Sequence, residues 1–184
     1  MATQYVALLR GIAPSNQGQS NENFRRVSES LGLENVHTVI SSGNVVFETD
    51  SKDPAGIESD LEMAWRDELG FESTTILRSR SDLERLVELE PFGDRDHGPE
   101  TYLLATFAKT RLDYDWDFPF QPEGKEYWVV AGTDREIFTV TDTVNSQTPD
   151  VMTWVEGQFG KDVTSRTWLT VFRILKRMAD TRRE

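Results

Sequence analysis

The chain has 184 residues, 37% of them hydrophobic and 28% charged, which suits one domain of ordinary size or two small subdomains with enough apolar surface to fold unaided. It has no cysteine, which excludes a disulfide framework, a thiol nucleophile and a cysteine zinc site, and no apolar run approaches the roughly 20 residues that span a bilayer. Acids outnumber bases 32 to 20, for a formal charge of -12, so broad binding to phosphate backbones is disfavoured. The opening Met1-Ala2-Thr3-Gln4 lacks the basic region and long apolar run of a secretory leader, and a cytoplasmic location is expected.

In chain order, Tyr5 to Leu9 is a short apolar run that reads as a buried strand ending at Arg10-Gly11. Residues 11–20 are rich in Gly, Pro, Ser, Asn and Gln and read as a loop. Phe24, Val27 and Leu31 recur at helical spacing, and Gly32 follows as a stop. Val36 to Ile40 and Val45 to Phe47 are strand runs joined by the tight bend Ser41-Ser42-Gly43-Asn44. Asp53-Pro54 opens a helix with Ile57, Leu61, Ala64, Trp65 and Leu69 on one face and Gly70 beyond. Thr74 to Leu77 is a fourth strand, and Ser81-Asp82-Leu83-Glu84 reads as a capping box for a short helix.

The order β-α-β-β-α-β over residues 3–79 is that of the ferredoxin-like split unit. A turn-rich link follows, and then a second, looser copy. Its strands are Tyr102 to Phe107, Tyr127 to Val130 and Ile137 to Val140, while Arg111 to Phe118 is acidic and ambiguous, a short helix being one reading. Thr148-Pro149 caps a helix through Val151, Trp154, Val155 and Phe159. Thr164-Ser165 precedes a final amphipathic helix with Trp168, Val171, Phe172, Leu175 and Met178. The expected fold is therefore α+β: two tandem ferredoxin-like subdomains, residues 1–90 and 91–184, the second degenerate with its last strand lost or very short. In the first strand Tyr5, Ala7 and Leu9 face one way and Val6 and Leu8 the other, so both faces are expected to be covered, by the other subdomain or a partner chain.

The topology makes one juxtaposition. With the first strand antiparallel beside the third, Arg10 and Gly11 fall near Ser42, Gly43 and Asn44, and the start of the first helix near Ser20 lies at the same sheet end. A fixed cation, small polar side chains, glycine backbone and helix N–H groups suit a small anion or carboxylate. A second account needs no ligand: Gly43 serves the hairpin, Asn44 tolerates positive φ and Arg10 pairs with an acid.

Phosphate-binding loops of either glycine-rich type are absent from the sequence. His37 and His97 are the two histidines, with no metal-ligand spacing; His37 falls on a strand face and His97 in a loop where it is expected to be exposed. Asp113, Asp115 and Asp117 alternate with Tyr114 and Trp116, which reads as a solvated acidic stretch or a cation site. No set of base, nucleophile and orienting group stands out, so catalytic residues stay unassigned and no metal or cofactor is expected. Fifteen Arg against five Lys, beside abundant acids, fits either a salt-adapted protein or a merely acidic one.

The blocks Tyr5-Val6-Ala7-Leu8-Leu9-Arg10-Gly11-Ile12, Leu31-Gly32-Leu33-Glu34-Asn35-Val36 and Ser42-Gly43-Asn44-Val45-Val46-Phe47 resemble the domain of unknown function 1697 family, and Thr164-Ser165-Arg166-Thr167-Trp168 is similar to its closing motif. The resemblance implies two α+β subdomains akin to ferredoxin-like units and no particular activity. Ala13-Pro14-Ser15-Asn16 stands where the family continues with Asn-Val-Gly-Gly, and Thr167 and Leu169 replace two family asparagines, which alters any site built on those glycines and amides. Trp168 falls on the apolar stripe and reads as core.

Two functions follow. One is binding of a small anionic molecule at the rim of Arg10, Gly11, Ser42, Gly43 and Asn44, with Arg166 completing the pocket from the second subdomain. The other is a non-enzymatic module for protein interaction or self-association as a homo-oligomer. RNA binding by analogy of fold lacks the aromatic signature and has the wrong charge.

Overall fold

In the computed structural model, residues 1–142 and 150–180 are described. The expected Thr148-Pro149 cap lies outside the described residues. Two compact units emerge. The first comprises Met1–Glu84 together with Phe172–Glu184, and the second comprises Arg85–Val171.

The first unit runs β1 (Thr3–Leu9), α1 (Asn21–Ser30), β2 (Glu34–Thr38), β3 (Asn44–Thr49), α2 (Pro54–Leu69), β4 (Thr75–Ser79) and the start of α3 (Arg80–Glu88). Its sheet has the order β2-β3-β1-β4, and each neighbouring pair is antiparallel. The two helices after β1 and β3 have the caps their residues predict. Ser20 accepts from Asn23 N at the start of α1, Asp53 accepts from Gly56 N at the start of α2 with Pro54 behind it, and Gly70 takes the left-handed conformation that ends α2. Leu31 departs from the expected apolar face. It is the C-cap of α1 and is 40% exposed, leaving Phe24 and Val27 to bury that helix.

The two faces of this sheet have separate cover. Tyr5, Ala7, Leu9, Val45, Phe47 and Leu77 join Phe24, Val27, Ile57, Leu61 and Trp65 in one core. Alternation sends Gln4, Val6, Leu8, Val46 and Ile76 to the opposite face, and all five are buried. Here the C-terminal helix of the same chain contributes. In α5 (Trp168–Asp180) the residues from Phe172 onward are grouped with the first unit. Gln4 Nε2 donates to the Met178 carbonyl at 3.0 Å, and Arg177 Nη2 donates to His37 Nδ1 at 2.5 Å. His37 is thus a strand-face residue held by a partner.

In the second unit, β5 (Thr101–Ala108), β6 (Tyr127–Gly132), β7 (Glu136–Asp142), α4 (Val151–Phe159) and β8 (Val163–Thr167) lead into α5. The sheet order is β6-β7-β5-β8, again antiparallel throughout. Two expectations are corrected here. The last strand is present: Val163–Thr167 pairs with β5 from Leu104↔Thr167 to Ala108↔Val163. Thr164-Ser165 therefore belongs to a strand, and the cap of α5 is Thr167, whose hydroxyl accepts from Thr170 N. The segment Arg111 to Phe118 has no helix. Its residues alternate, with Asp113, Asp115 and Asp117 exposed and Tyr114 and Trp116 half-buried against the core of Leu104, Val129, Val151 and Val155. Trp116 stacks between Tyr114 and Phe120, at centroid distances of 5.1 and 5.0 Å. Period-two alternation makes an extended arm, and its rings cover the sheet where a helix was expected.

Candidate functional site

The end of β1 and the β2–β3 bend meet as their topology requires. β1 pairs with β3 through Leu8↔Asn44, and Leu9 N donates to the Gly43 carbonyl at 2.9 Å. Gly43 takes φ +74, and a Cβ there would fall 2.6 Å from Ile12 Cγ1 and 2.9 Å from Leu9 Cβ, so glycine is needed for both its conformation and its lack of bulk. The helix start joins them: Asn21 Nδ2 donates to the Ile40 carbonyl at 3.2 Å. The juxtaposition of Arg10-Gly11, the Ser42-Gly43-Asn44 bend and the N-terminus of α1 thus exists at the level of the backbone.

Each side chain at this rim has a definite setting. Arg10 is half-buried; its N–H donates to the Thr74 carbonyl and its own carbonyl accepts from Ser73 Oγ at 2.8 Å, so the ladder holds its backbone one step beyond β1. Continued alternation places its Cβ on the Leu8 and Asn44 side of the sheet. Gly11 is exposed at φ +70. Asn44 is fully buried, and its Nδ2 donates to the Val39 carbonyl and to Ser42 Oγ, both at 3.0 Å. With Val39 N donating back to the Asn44 carbonyl, the amide closes the bend like an extra rung of the ladder. Both Asn44 amide hydrogens are spent inside the protein, and Ser42 and Arg10 stand half-buried at the same rim.

Two features here were not read from the sequence. Ile40 has φ +51, a conformation costly for a β-branched residue, and it is 40% exposed. The loop before α1 is ordered by Gln19, a buried side chain whose Oε1 accepts from Ala13 N at 2.9 Å and from Asn16 Nδ2. Ala13-Pro14-Ser15-Asn16 therefore forms a turn, closed by Asn16 N on the Ala13 carbonyl.

Arg166 belongs to the second unit. It lies on β8 opposite Ala105, is 7% exposed, and donates through Nη1 to Thr164 Oγ1 at 2.9 Å and the Ser165 carbonyl at 2.8 Å. Burial lowers its pKa to about 10. The first unit has a matching arginine. Arg78, on β4 opposite Val6, is 3% exposed and donates to the carbonyl of its own preceding residue, Leu77, at 2.8 Å. Each final strand thus carries a buried arginine, then a Ser or Thr that caps the next helix. The signal was in the sequence as Arg78-Ser79 and Arg166-Thr167.

His97 is half-buried rather than exposed: Leu103 N donates to its Nδ1 at 3.1 Å and its ring lies 5.1 Å from Tyr102. Trp168 is core, edge-on to Phe92 and Phe138. A cavity of about 470 Å³ in the second unit is lined by Arg111, Leu112, Asp113, Tyr114, Thr133 and Asp134. Its charged residues are Asp113 and the Arg111–Asp134 pair at 3.7 Å, the pair more than 70% exposed on both sides and hence well screened by water. Among the described residues no group of three or more His, Asp or Glu is placed to hold a metal ion, and no helix is long and apolar enough to cross a membrane.

No curated protein matches the chain. Among solved structures, a conserved bacterial protein, SP0830 from Streptococcus pneumoniae, is similar at 22% identity over 97% of this chain and 99% of that one, with a TM-score of 0.70, which shows a shared fold. The opening strand, the Ser-Gly-Asn bend and the first unit around them all fall within residues 2–138, which match the family described as protein of unknown function (DUF1697), and the chain belongs to that family.

Proposed function

We propose that the first unit binds a small anionic molecule at the rim where β1, the Ser42–Asn44 bend and the start of α1 meet. The observation that carries this reading is the convergence itself: Leu9 N on the Gly43 carbonyl and Asn21 Nδ2 on the Ile40 carbonyl hold three segments at one sheet end. Arg10 would supply the charge, Ser42 a hydroxyl donor and Gly11 close backbone approach, while Asn44 and Gly43 shape the bend. A strained Ile40 supports a functional rim, because such conformations persist where the surroundings enforce them. The order β-α-β-β-α-β with β4 and β3 flanking β1 supports reading the unit as ferredoxin-like, a scaffold that does not by itself specify an activity.

The test is thermal unfolding of the full chain with phosphate, sulfate or citrate at constant ionic strength, against chloride. Binding shows as a rise in melting temperature that grows with anion concentration by mass action. Arg10→Ala is expected to remove the rise while keeping the melting temperature without anion. An equal rise in Arg10→Ala, or none in the wild type, rejects the reading.

A second reading is self-association. Leu169 and Phe172, one turn apart on α5, are 43% and 45% exposed, an apolar pair of the kind found at protein contacts. Light scattering across a concentration series that shows a dimer lost in Leu169→Glu would favour it.

A further inference from the structure

β4 is an edge strand of the first sheet, so alternate backbone donors point away from β1. Arg10 N donates to the Thr74 carbonyl, which fixes the phase: Thr74, Ile76 and Arg78 turn their backbone groups to β1, and Thr75, Leu77 and Ser79 turn theirs outward. On an uncovered edge those three N–H groups would meet water or another strand. Here each one donates to a carboxylate. Thr75 N reaches Glu62 Oε1, Leu77 N reaches Glu58 Oε1 and Ser79 N reaches Asp82 Oδ2, all at 2.8 Å.

The sequence is built for this. Glu58 and Glu62 are four apart on α2 and share a face. One helical turn, about 5.4 Å, is close to the ~6.7 Å that separates alternate strand residues, so two flexible carboxylates on one helix can serve two successive outward donors. Glu58 is 5% exposed, an unusual place for an acid, and its bond to Leu77 N accounts for it. Asp82 and Ser79 cap each other, since Asp82 N also donates to Ser79 Oγ, so the third acid is held by the start of α3.

We infer that Glu58, Glu62 and Asp82 lock the β4 edge against strand addition, and that the partner they exclude is β4 of a second copy of this chain. A second copy is the natural occupant because an antiparallel pair of identical edges is self-complementary about a twofold axis. Thr75-Ile76-Leu77 is rich in strand-forming residues, the kind of edge that pairs when bare. The locked edge of β4 does not depend on anion binding at the rim.

Glu58→Ala/Glu62→Ala removes two acceptors from the full chain; Glu58→Gln/Glu62→Gln keeps an Oε1 acceptor at each place. Light scattering at several concentrations gives mass, circular dichroism reports folding, and amide hydrogen exchange reports the Thr75 and Leu77 donors. The expected result is a folded Ala variant of at least twice the wild-type mass, with a Gln variant of wild-type mass. Exchange at Thr75 and Leu77 should be slow in the wild type and, in any unassociated fraction of the Ala variant, roughly tenfold faster. A folded Ala variant with wild-type mass overturns the inference, as does a Gln variant that associates as the Ala variant does. If the Ala variant does not fold, exchange decides alone: slow Thr75 and Leu77 amides in the wild type and Gln variant support the lock, and fast ones overturn it.

Discussion

Asn44 has no exposed surface, yet it is polar, and that combination identifies its role. Its amide occupies the Val39 carbonyl and the Ser42 hydroxyl, so Asn44→Ala would leave a buried carbonyl unpaired as well as a small void. We expect Asn44→Ala to cost about 1–3 kcal/mol, read from denaturant unfolding. A variant as stable as wild type would show that the bend holds without the amide. The sequence makes Asn44 a rim residue because it sits beside a glycine in a turn, but only the register Leu8↔Asn44 reveals that the side chain is turned inside.

Tyr127 is the converse case. It is 2% exposed and its hydroxyl has no hydrogen-bond partner. Burial first, and the Asp150 carboxylate second, push its pKa up to about 12 from the ordinary value near 10. A raised acid pKa means that the folded state keeps a proton that the unfolded chain releases between pH 10 and pH 12. Stability is therefore whole below pH 10 and falls as pH rises toward 12. Tyr127→Phe should flatten that alkaline loss and leave the melting temperature at neutral pH unchanged or higher, since no hydrogen bond is removed. Unfolding followed at pH 8 and pH 11 checks both; a large loss at pH 8 would reveal a partner for the hydroxyl.

At the scale of elements, caps and stops were the most legible signals. Asp53-Pro54 and Gly70 bound α2 as their chemistry requires, because a cap is a local bond between near neighbours. The errors arose where one local pattern fitted two structures. Ser81-Asp82-Leu83-Glu84 matches a capping box, but the reciprocal bonds are made two residues earlier, by Ser79 and Asp82. Val163–Thr167 does not stand out as a strand in the sequence because Thr and Ser serve equally well on a strand and at a helix start, and only pairing with β5 separates the two. The arm from Arg111 to Phe118 did carry its signal: acid and ring alternate at period two, which suits an extended chain over a core.

At the scale of the molecule, the pairing of the first strand with the third was readable and the cover of the sheets was not. Apolar residues of both parities in β1 show that two faces are buried, but not what buries them; part of the answer lies far along the chain, in Met178, 174 residues from Gln4, and Arg177, 140 residues from His37. The acidic surface has its own consequence. With 32 acids and 20 bases, mutual repulsion opposes the folded state at low ionic strength, and salt screens it. We expect the denaturation midpoint to rise between 0.1 M and 2 M potassium chloride; a midpoint that falls would remove salt adaptation as the reason for the composition.

The first unit is assembled from two stretches separated by the whole of the second. A ribosome releases its opening strands long before the helix that supplies the carbonyl for Gln4 and the guanidinium for His37 has been synthesised. The nascent N-terminal portion must therefore wait, with the Gln4 amide and the His37 ring lacking these partners, until the second unit and α5 have been made.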